Sequence, residues 1–302
     1  MNHPEPLEQI LIPRTADLGN AFYVKRVLPS RERRMVGPYV FLDQMGPKTL
    51  APGEGLDVRP HPHIGLATVT YLYDGEMIHR DSVGAVQAIQ PGAVNWMTAG
   101  RGIAHSERSS PAQRAGDASL FGLQCWVALP REHEETDPRF DHLDPGLLPR
   151  INDGGMQATV LAGRFFGEQS PAPTFSPLFQ VDVRLQAGAR LEIPSLYAEQ
   201  ALYLVQGSIE ISHQQFGPSQ LLVMQAGQPL IIKALPGPEV VLMLLGGEPF
   251  DEPRYVQWNF VSSSIDRLEQ AKEDWMHQRF QQIPDETGFI PLPPGLGRAA
   301  PR

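Results

Sequence analysis

The sequence predicts an all-β protein in which a barrel of strands occurs twice. Thirty prolines and 28 glycines, repeatedly as Pro-Gly or Gly-Pro, divide the 302 residues into short segments. This composition is typical of short strands and tight turns rather than long helices. In addition, the phrase that starts at Glu199 echoes the phrase that starts at Ala67, with Tyr, Leu and Gly in register. We therefore interpret the chain as a duplicated β-barrel.

Chain length and composition predict two domains. The chain is long enough for two domains of about 150 residues each, and its hydrophobic content of 41% allows a sizeable core. Residues 131–149 shift to Glu, Asp, His and Pro, which favours a connection between domains. We therefore predict a first barrel over residues 1–145 and a second barrel, with a terminal helix and tail, over 146–302.

Turn signals divide the first half into strand-like runs. A loop rich in Pro and Gly, residues 44–57, leads to His61, and Asp74-Gly75 and Pro91-Gly92 mark later turns. Apolar content and partial alternation between these signals predict the strands. They cover residues 21–28, 36–43, 61–73, 77–82, 85–89, 94–98, 103–107 and 119–129.

The second half repeats this pattern and adds one helix. Its strand-like runs cover residues 179–185, 189–193, 200–205, 208–212, 220–224, 229–234 and 240–245. Near the end, a capping-box phrase at 263–266 precedes apolar residues at near-helical spacing, which predicts a helix over 264–282. Its apolar stripe is expected to pack against a barrel. The Pro- and Gly-rich tail, 284–302, predicts an extended surface segment.

Two short phrases carry side chains that can bind a metal. His61-Pro-His63 and His105-Ser-Glu107 each place two donors at positions i and i+2, which lie on the same face of a strand. An isolated pair of this kind is also common in proteins that bind no metal. The second pair, beyond further strands, lies where a small barrel brings strands face to face. Three imidazoles and a carboxylate suit a divalent first-row transition metal, so we predict a metal site in the first barrel.

Four further side chains are candidates for a role at the site. Three of them have two possible roles, and the fourth is expected only to pack in the core. His79 and Asp81 follow the first hairpin, so they either hydrogen-bond a ligand histidine or lie on a solvated turn. Arg101, between two glycines, either faces an anionic substrate at the barrel mouth or forms an ion pair. The single cysteine, Cys125, lies in an apolar phrase, so we expect it to be buried and unreactive.

Charge and hydropathy exclude several classes of function. A net charge of −9 and a pI near 5.5 disfavour direct binding of nucleic acid, which depends on a surplus of Lys and Arg. No apolar run approaches the roughly 20 residues needed to cross a bilayer. The N-terminal residues 1–14 resemble no signal peptide, and one cysteine allows no intrachain disulfide. We therefore expect a cytoplasmic protein without membrane contact.

A longer succession of motifs resembles the pirin family of the cupin superfamily. The similarity is dense over residues 35–130 and thinner through the second half to the helix. The matching phrases are His61-Pro-His63-Ile-Gly65, Tyr71-Leu72, His79-Arg-Asp81, Trp96-Met-Thr-Ala-Gly-Arg-Gly102 and His105-Ser-Glu107. The resemblance implies a bicupin, two β-barrels with the metal in the first and no ligand set in the second. The family's ligands match His61, His63, His105 and Glu107, and the expected metal is Fe(II), with Ni, Mn, Cu, Co or Zn as alternatives.

The resemblance also implies a function, with two alternatives left open. Some pirin-like proteins oxidise flavonols such as quercetin, which implies a quercetin 2,3-dioxygenase type of enzyme. The 3-hydroxyl of the substrate would bind the metal, Glu107 would accept its proton, and dioxygen would attack the ring with loss of carbon monoxide. The first alternative is a redox-sensing regulatory protein that binds a protein partner without turnover. The second is a barrel that a metal merely stabilises.

Overall fold

The computed structural model describes residues 6–18 and 22–296, and its first half is a succession of strands. The first residue of the predicted strand 21–28 and the last six of the predicted tail 284–302 lie outside this part. The strands are β1 Leu7–Leu11, β2 Arg14–Asp17, β3 Tyr23–Leu28, β4 Tyr39–Leu50, β5 Asp57–His63, β6 Leu66–Gly75, β7 Met77–Asp81, β8 Val86–Ile89, β9 Val94–Thr98, β10 Ile103–Arg108, β11 Ala118–Ala128 and β12 Arg139–Leu143.

The second half continues in the same way, which confirms the all-β prediction. Its strands are β13 Arg150–Asp153, β14 Met156–Phe165, β15 Glu168–Gln169, β16 Leu178–Leu185, β17 Arg190–Ile193, β18 Glu199–Gln206, β19 Ile209–Ile211, β20 Gln214–Phe216, β21 Gln220–Met224, β22 Leu230–Ala234, β23 Val240–Gly247, β24 Tyr255–Gln257 and β25 Phe260–Ser262. The described helices are α1 Pro111–Ala115 and α2 Ile265–Met276, and neither is long and apolar enough to cross a membrane.

One of two compact units is built mainly from the second half of the chain. It comprises the described part of residues 1–14 together with Lys25–Phe41 and Leu143–Pro249. One sheet has the strand order β1-β21-β18-β23-β16-β14-β13, with β15 on β14, and the other has the order β17-β22-β19-β20. Alternate apolar residues of these strands, such as Val181, Leu202 and Leu242, are fully buried in a common core.

The other unit contains the strands of the predicted metal site. It comprises the described parts of residues 15–24 and 250–302 together with Leu42–His142. Its strands lie in sheets of the orders β5-β10-β7-β8 and β12-β9-β6-β11-β4-β3-β2. Helix α2 belongs to this unit by its contacts, because Leu268 and Trp275 pack with Ile64, Ala104 and Phe260. The predicted domain boundary between residues 145 and 146 stays a prediction. The two compact units are each made of several separate segments of the chain.

Gly65 breaks what the sequence predicts as one strand over residues 61–73. The backbone there has φ +66°, and a Cβ at this position would lie 2.0 Å from the carbonyl oxygen of Val261. Its N–H donates to the oxygen of Gly100 and its carbonyl accepts from Leu129, so the turn is fixed on both sides. The prediction of one continuous strand is wrong because only glycine adopts this left-handed conformation in such a close contact. The chain therefore leaves the sheet of β5 and enters that of β6.

We expect Gly65→Ala to destabilise the protein by about 2–4 kcal/mol, since the substitution adds backbone strain and a clash with a backbone atom. Urea unfolding followed by circular dichroism would measure the change. Gly116→Ala is the matched control, because Gly116 has φ −143° and a Cβ there would meet nothing within 4 Å. The control is expected to change stability by less than about 0.5 kcal/mol. Equal effects of the two substitutions would contradict the interpretation of Gly65.

Helix α2 is shorter than the predicted 264–282. Its start is confirmed, since the side chain of Ser264 accepts a hydrogen bond from the backbone N–H of Arg267. The helix ends at Met276, because Gln278 has φ +53° and turns the chain out of the helical path. Phe280, predicted on the helical stripe, instead packs from the following turn onto the ring of Trp275, with centroids 5.6 Å apart.

The segment after the helix has no regular structure, yet it is not a free surface strand. Ile283 is buried, and the backbone N–H of Ile290 donates to the carbonyl of Pro60 at 2.7 Å. The carboxylate of Glu286 accepts hydrogen bonds from Ser106 Oγ and from the guanidinium of Arg108, at 2.7 and 2.8 Å. This segment therefore fastens the two strands that carry the predicted ligands.

Candidate metal centre

The position of β5 follows from its two prolines. Proline cannot donate a backbone hydrogen bond, so within sheets it is confined to edge strands and bulges. The phrase from Arg59 to His63 contains Pro60 and Pro62, and β5 is indeed the edge strand of its sheet. The pairing with β10 is also irregular beside Pro60, since Val58 pairs with Glu107 and His61 with His105. The alternation of the strand then turns both histidines towards the inside of the unit.

Three histidines converge at this point. His61 and His63 come from β5 and His105 from β10, and one ring nitrogen of each lies within 4.8 Å of the others. The Nε2 atoms of His63 and His105 are 3.1 Å apart, and the ring centroids of His61 and His105 are 4.3 Å apart. All three side chains are at least nine-tenths buried. In the described part of the chain, this is the group of His, Cys, Asp or Glu close enough to hold a metal ion.

Backbone carbonyls fix the protonation pattern of two of the rings. Nδ1 of His61 lies 2.9 Å from the oxygen of Arg59, and Nδ1 of His63 lies 3.2 Å from the oxygen of Asn259. A carbonyl oxygen only accepts, so each Nδ1 carries the proton and donates. In a neutral imidazole the other nitrogen then keeps its lone pair. The Nε2 lone pairs of His61 and His63 therefore face the centre of the cluster.

Burial makes this cluster neutral. Burial lowers the pKa of His61 to about 4, and it lowers the pKa of His63 and His105 well below the ordinary value. Repulsion between the neighbouring rings adds to this effect for the last two. A histidine with a low pKa is uncharged at neutral pH, which is the form that binds metals.

Glu107 lies two residues after His105 on β10 and outside the group of three histidines. Its side chain is buried, and Oε1 accepts a hydrogen bond from Gln124 Nε2 at 2.7 Å. Burial raises the pKa of Glu107 to about 7, although the hydrogen bond from Gln124 partly offsets the rise. The carboxyl group is therefore poised between its neutral and charged forms near neutral pH. The role of Glu107 as a fourth ligand stays a prediction.

The two readings of His79 and Asp81 are decided by burial. Both residues are at least 98% buried, so the reading as a solvated hairpin is wrong. His79 Nε2 lies 2.8 Å from Asp81 Oδ2, and His79 Nδ1 lies 3.4 Å from Nδ1 of His105. The ring of Phe140 stacks on that of His79 with a centroid distance of 4.3 Å. His79 therefore contacts His105 of the histidine cluster, and Asp81 contacts His79.

Sequence reasoning missed several residues around the cluster. The carbonyl of Asn259 carries no side-chain signature, so no motif could have revealed it. Gln124 could have been suspected as a single amide in an otherwise apolar strand, β11. From the same strand Trp126 packs edge-on against His63, with ring centroids 5.0 Å apart.

The remaining candidates are structural. Arg101 is exposed and forms an ion pair with Asp137, in accord with the second reading of this residue. Its carbonyl also accepts a hydrogen bond from Arg267. Cys125 is fully buried, as the sequence predicts.

The donor set fits a divalent transition metal. One ring nitrogen of each of three neutral imidazoles lies within 4.8 Å of the others, and Nε2 of His63 carries no proton. Two nitrogen ligands at about 2.1 Å from an ion lie about 3 Å apart when they subtend a right angle. The observed 3.1 Å between the two Nε2 atoms matches that arrangement. Imidazole and carboxylate ligands suit iron, nickel, copper and zinc.

Both halves of the chain match known proteins. Residues 21–127 match the sequence model of the Pirin family, and residues 180–281 match that of the pirin C-terminal cupin domain. A pirin-like protein of Caulobacter vibrioides is 48% identical over 95% of this chain and 99% of its own length. Pirin of Rattus norvegicus is 29% identical over 89% of this chain and 91% of its own. A solved structure of a quercetin 2,3-dioxygenase from Acinetobacter baumannii is 36% identical, with a TM-score of 0.87 over 96% of this chain and 97% of that one.

Proposed function

The chain belongs to the pirin family, and on this premise we propose that it is a metal-dependent dioxygenase acting on a flavonol such as quercetin. Its two-barrel fold is that of the bicupin proteins it matches. The observation that carries the proposal is the convergence of three buried histidine rings, with a buried carboxyl group two residues further along β10 whose pKa burial raises to about 7. The similarity to the quercetin 2,3-dioxygenase of Acinetobacter baumannii supports the choice of substrate.

In this proposal the four predicted ligands hold a divalent metal, and Fe(II) is the first candidate. His61, His63 and His105 supply nitrogen lone pairs, and Glu107 supplies a carboxylate oxygen. The metal would supply coordination positions for the substrate hydroxyl and for dioxygen, since four protein ligands leave two positions of a six-coordinate ion open. The buried cysteine, Cys125, is compatible with a reducing compartment, so we place the reaction in the cytoplasm.

Glu107 is the proposed general base. In the metal-free protein burial raises the pKa of Glu107 to about 7, so its carboxylate is a stronger base than an exposed one. Its carboxylate would accept the proton of the flavonol 3-hydroxyl and thereby raise the electron density of the ring. The amide of Gln124 would hold the carboxyl group in place through its hydrogen bond to Oε1. Such general-base help contributes typically about 10²- to 10⁴-fold to the rate.

Aerobic incubation with quercetin tests the proposal. Protein loaded with Fe(II), Ni(II), Mn(II) or Cu(II) is expected to remove the visible absorption band of quercetin and to release carbon monoxide. Glu107→Gln is expected to lower the rate by about 100-fold or more, because the amide cannot accept the proton. Glu168→Gln is the matched control, since Glu168 is exposed in β15 of the other unit. Bound metal without turnover for any of these ions would overturn the enzymatic proposal.

A further inference from the structure

We propose that Asp81 and His79 set the tautomer of His105, so that its Nε2 lone pair is directed at the metal. The inference rests on the proposed metal centre and goes beyond it, because it assigns a function to two buried residues that bind no metal themselves. Both would be positioning residues that act through His105. The sequence alone left open whether they contact a ligand at all.

The chain of contacts begins at the carboxylate of Asp81. Its Oδ1 accepts hydrogen bonds from the backbone N–H groups of Val83 and Ala85, both at 3.0 Å. These two bonds close the turn between β7 and β8 and fix the orientation of the carboxylate. The other oxygen, Oδ2, lies 2.8 Å from Nε2 of His79. Because a carboxylate only accepts hydrogen bonds, Nε2 of His79 carries the proton and donates the hydrogen bond.

The position of the proton on His79 determines that of the proton on His105. A neutral imidazole with its proton on Nε2 has an acceptor lone pair on Nδ1. Nδ1 of His79 lies 3.4 Å from Nδ1 of His105, so the hydrogen bond between them requires the proton on His105. The proton of His105 is then on Nδ1, and its Nε2, which lies 3.1 Å from Nε2 of His63, keeps a lone pair for the metal. Second partners of this kind commonly fix ring orientation and ligand basicity in metal sites.

Packing holds the ring of His79 in this orientation. The ring of Phe140 lies 4.3 Å from that of His79 at an angle of 17°, so the imidazole plane is fixed. The backbone around it is fixed as well, since β7 pairs with β10 and places His79 opposite Glu107. The position of both nitrogens of His79 is therefore determined by its surroundings.

His105 differs in this respect from the two other histidines of the cluster. His61 and His63 have their Nδ1 protons held by the backbone carbonyls of Arg59 and Asn259, which no side-chain substitution removes. His105 has its Nδ1 proton held by a side chain that in turn depends on Asp81. A single isosteric substitution at Asp81 can therefore reverse the tautomer of one ligand and leave the others unchanged.

Asp81→Asn is the decisive variant. The amide oxygen can still accept from Val83 and Ala85, so the turn is retained, but the amide nitrogen then donates towards Nε2 of His79. His79 must accept there and carry its proton on Nδ1, which forces the proton of His105 onto Nε2. That nitrogen then has no lone pair for the metal. We expect the affinity for Co(II) to fall by about 10- to 100-fold.

Two measurements separate this proposal from its alternatives. Nitrogen-15 spectra of the imidazoles in metal-free protein are expected to show Nδ1–H for His105 in the unaltered protein and Nε2–H in Asp81→Asn. Competition with a chelator would give the Co(II) affinity of both. Asp74→Asn is the matched control, because Asp74 is exposed on the neighbouring hairpin and accepts a hydrogen bond from the backbone N–H of Gly75. This control is expected to leave the tautomer and the affinity unchanged.

An Nε2–H tautomer of His105 in the unaltered protein would overturn the proposal, even if Asp81→Asn failed to fold. Unchanged Co(II) affinity in a folded Asp81→Asn variant would overturn it as well. The tautomer is read in metal-free protein, so it is independent of the proposed function. If the unaltered protein binds no metal, the proposed function fails, whereas the spectra still report on Asp81, His79 and His105.

Discussion

His105→Ala is expected to bind a divalent metal about 10²- to 10³-fold more weakly than the unaltered protein. Four-ligand zinc sites in zinc-finger peptides provide roughly 10–16 kcal/mol, so we expect one of the four proposed ligands here to account for about a quarter of a similar free energy. The proposed ligand His105 also faces both histidines of β5, with Nε2 only 3.1 Å from that of His63 and its ring centroid 4.3 Å from that of His61. Its removal therefore takes away the histidine that β10 contributes to the cluster.

Elemental analysis and chelator competition would measure this loss. Protein purified without added metal is expected to contain a transition metal, and His105→Ala purified in parallel is expected to contain almost none. His277→Ala is the matched control, because His277 is exposed at the end of α2 and lies outside the cluster. Retained circular dichroism of His105→Ala would show that the loss is local. Equal metal content in His105→Ala and the control would contradict the assignment of the site.

The convergence of the histidines could be predicted because it depends on rules that act over short distances. Spacing of two residues puts His61 and His63 on one face, and the intervening Pro62 favours an edge strand. These rules involve only neighbouring residues, so the sequence reveals them. The same is true of the N-terminus of α2, where Ser264 acts through the adjacent backbone.

What the sequence did not reveal depends on contacts between distant residues. The carbonyl of Asn259 reaches His63 across 196 positions of the chain, and the burial of His79 depends on Phe140. The break at Gly65 is required by the oxygen of Val261, which no local pattern contains. The apolar alternation of residues 61–73 is genuine on either side of Gly65, so periodicity alone could not locate the change of sheet.

The affinity for a divalent metal is expected to rise about tenfold per pH unit between pH 5 and 7 and to level off above pH 7. Burial raises the pKa of Glu107 to about 7, so below this pH its carboxyl group is protonated in the metal-free protein. As the proposed fourth ligand, Glu107 must lose this proton before it binds, so binding there releases about one proton. As the pH rises towards 7 this cost disappears, and above 7 the carboxylate is already charged.

The histidines are expected to contribute no proton in this range. Burial lowers the pKa of His61 to about 4, and those of His63 and His105 lie well below their ordinary value. All three are therefore neutral from pH 5 upwards, and their binding to a metal releases nothing. Exposed histidines would release up to about three protons below pH 6.5, and the affinity would then rise far more steeply.

Glu107→Gln separates the two contributions. The amide cannot be protonated in this range, so the variant is expected to bind Co(II) with an affinity that is nearly constant from pH 5 to 8. Calorimetry in buffers of different ionisation enthalpy would count the protons released by each protein. If the logarithm of the Co(II) affinity rose by about three per pH unit in both proteins, the pH dependence would belong to the histidines. That result would also show that the cluster is more open to water than its burial indicates, because only solvated imidazoles keep their ordinary pKa.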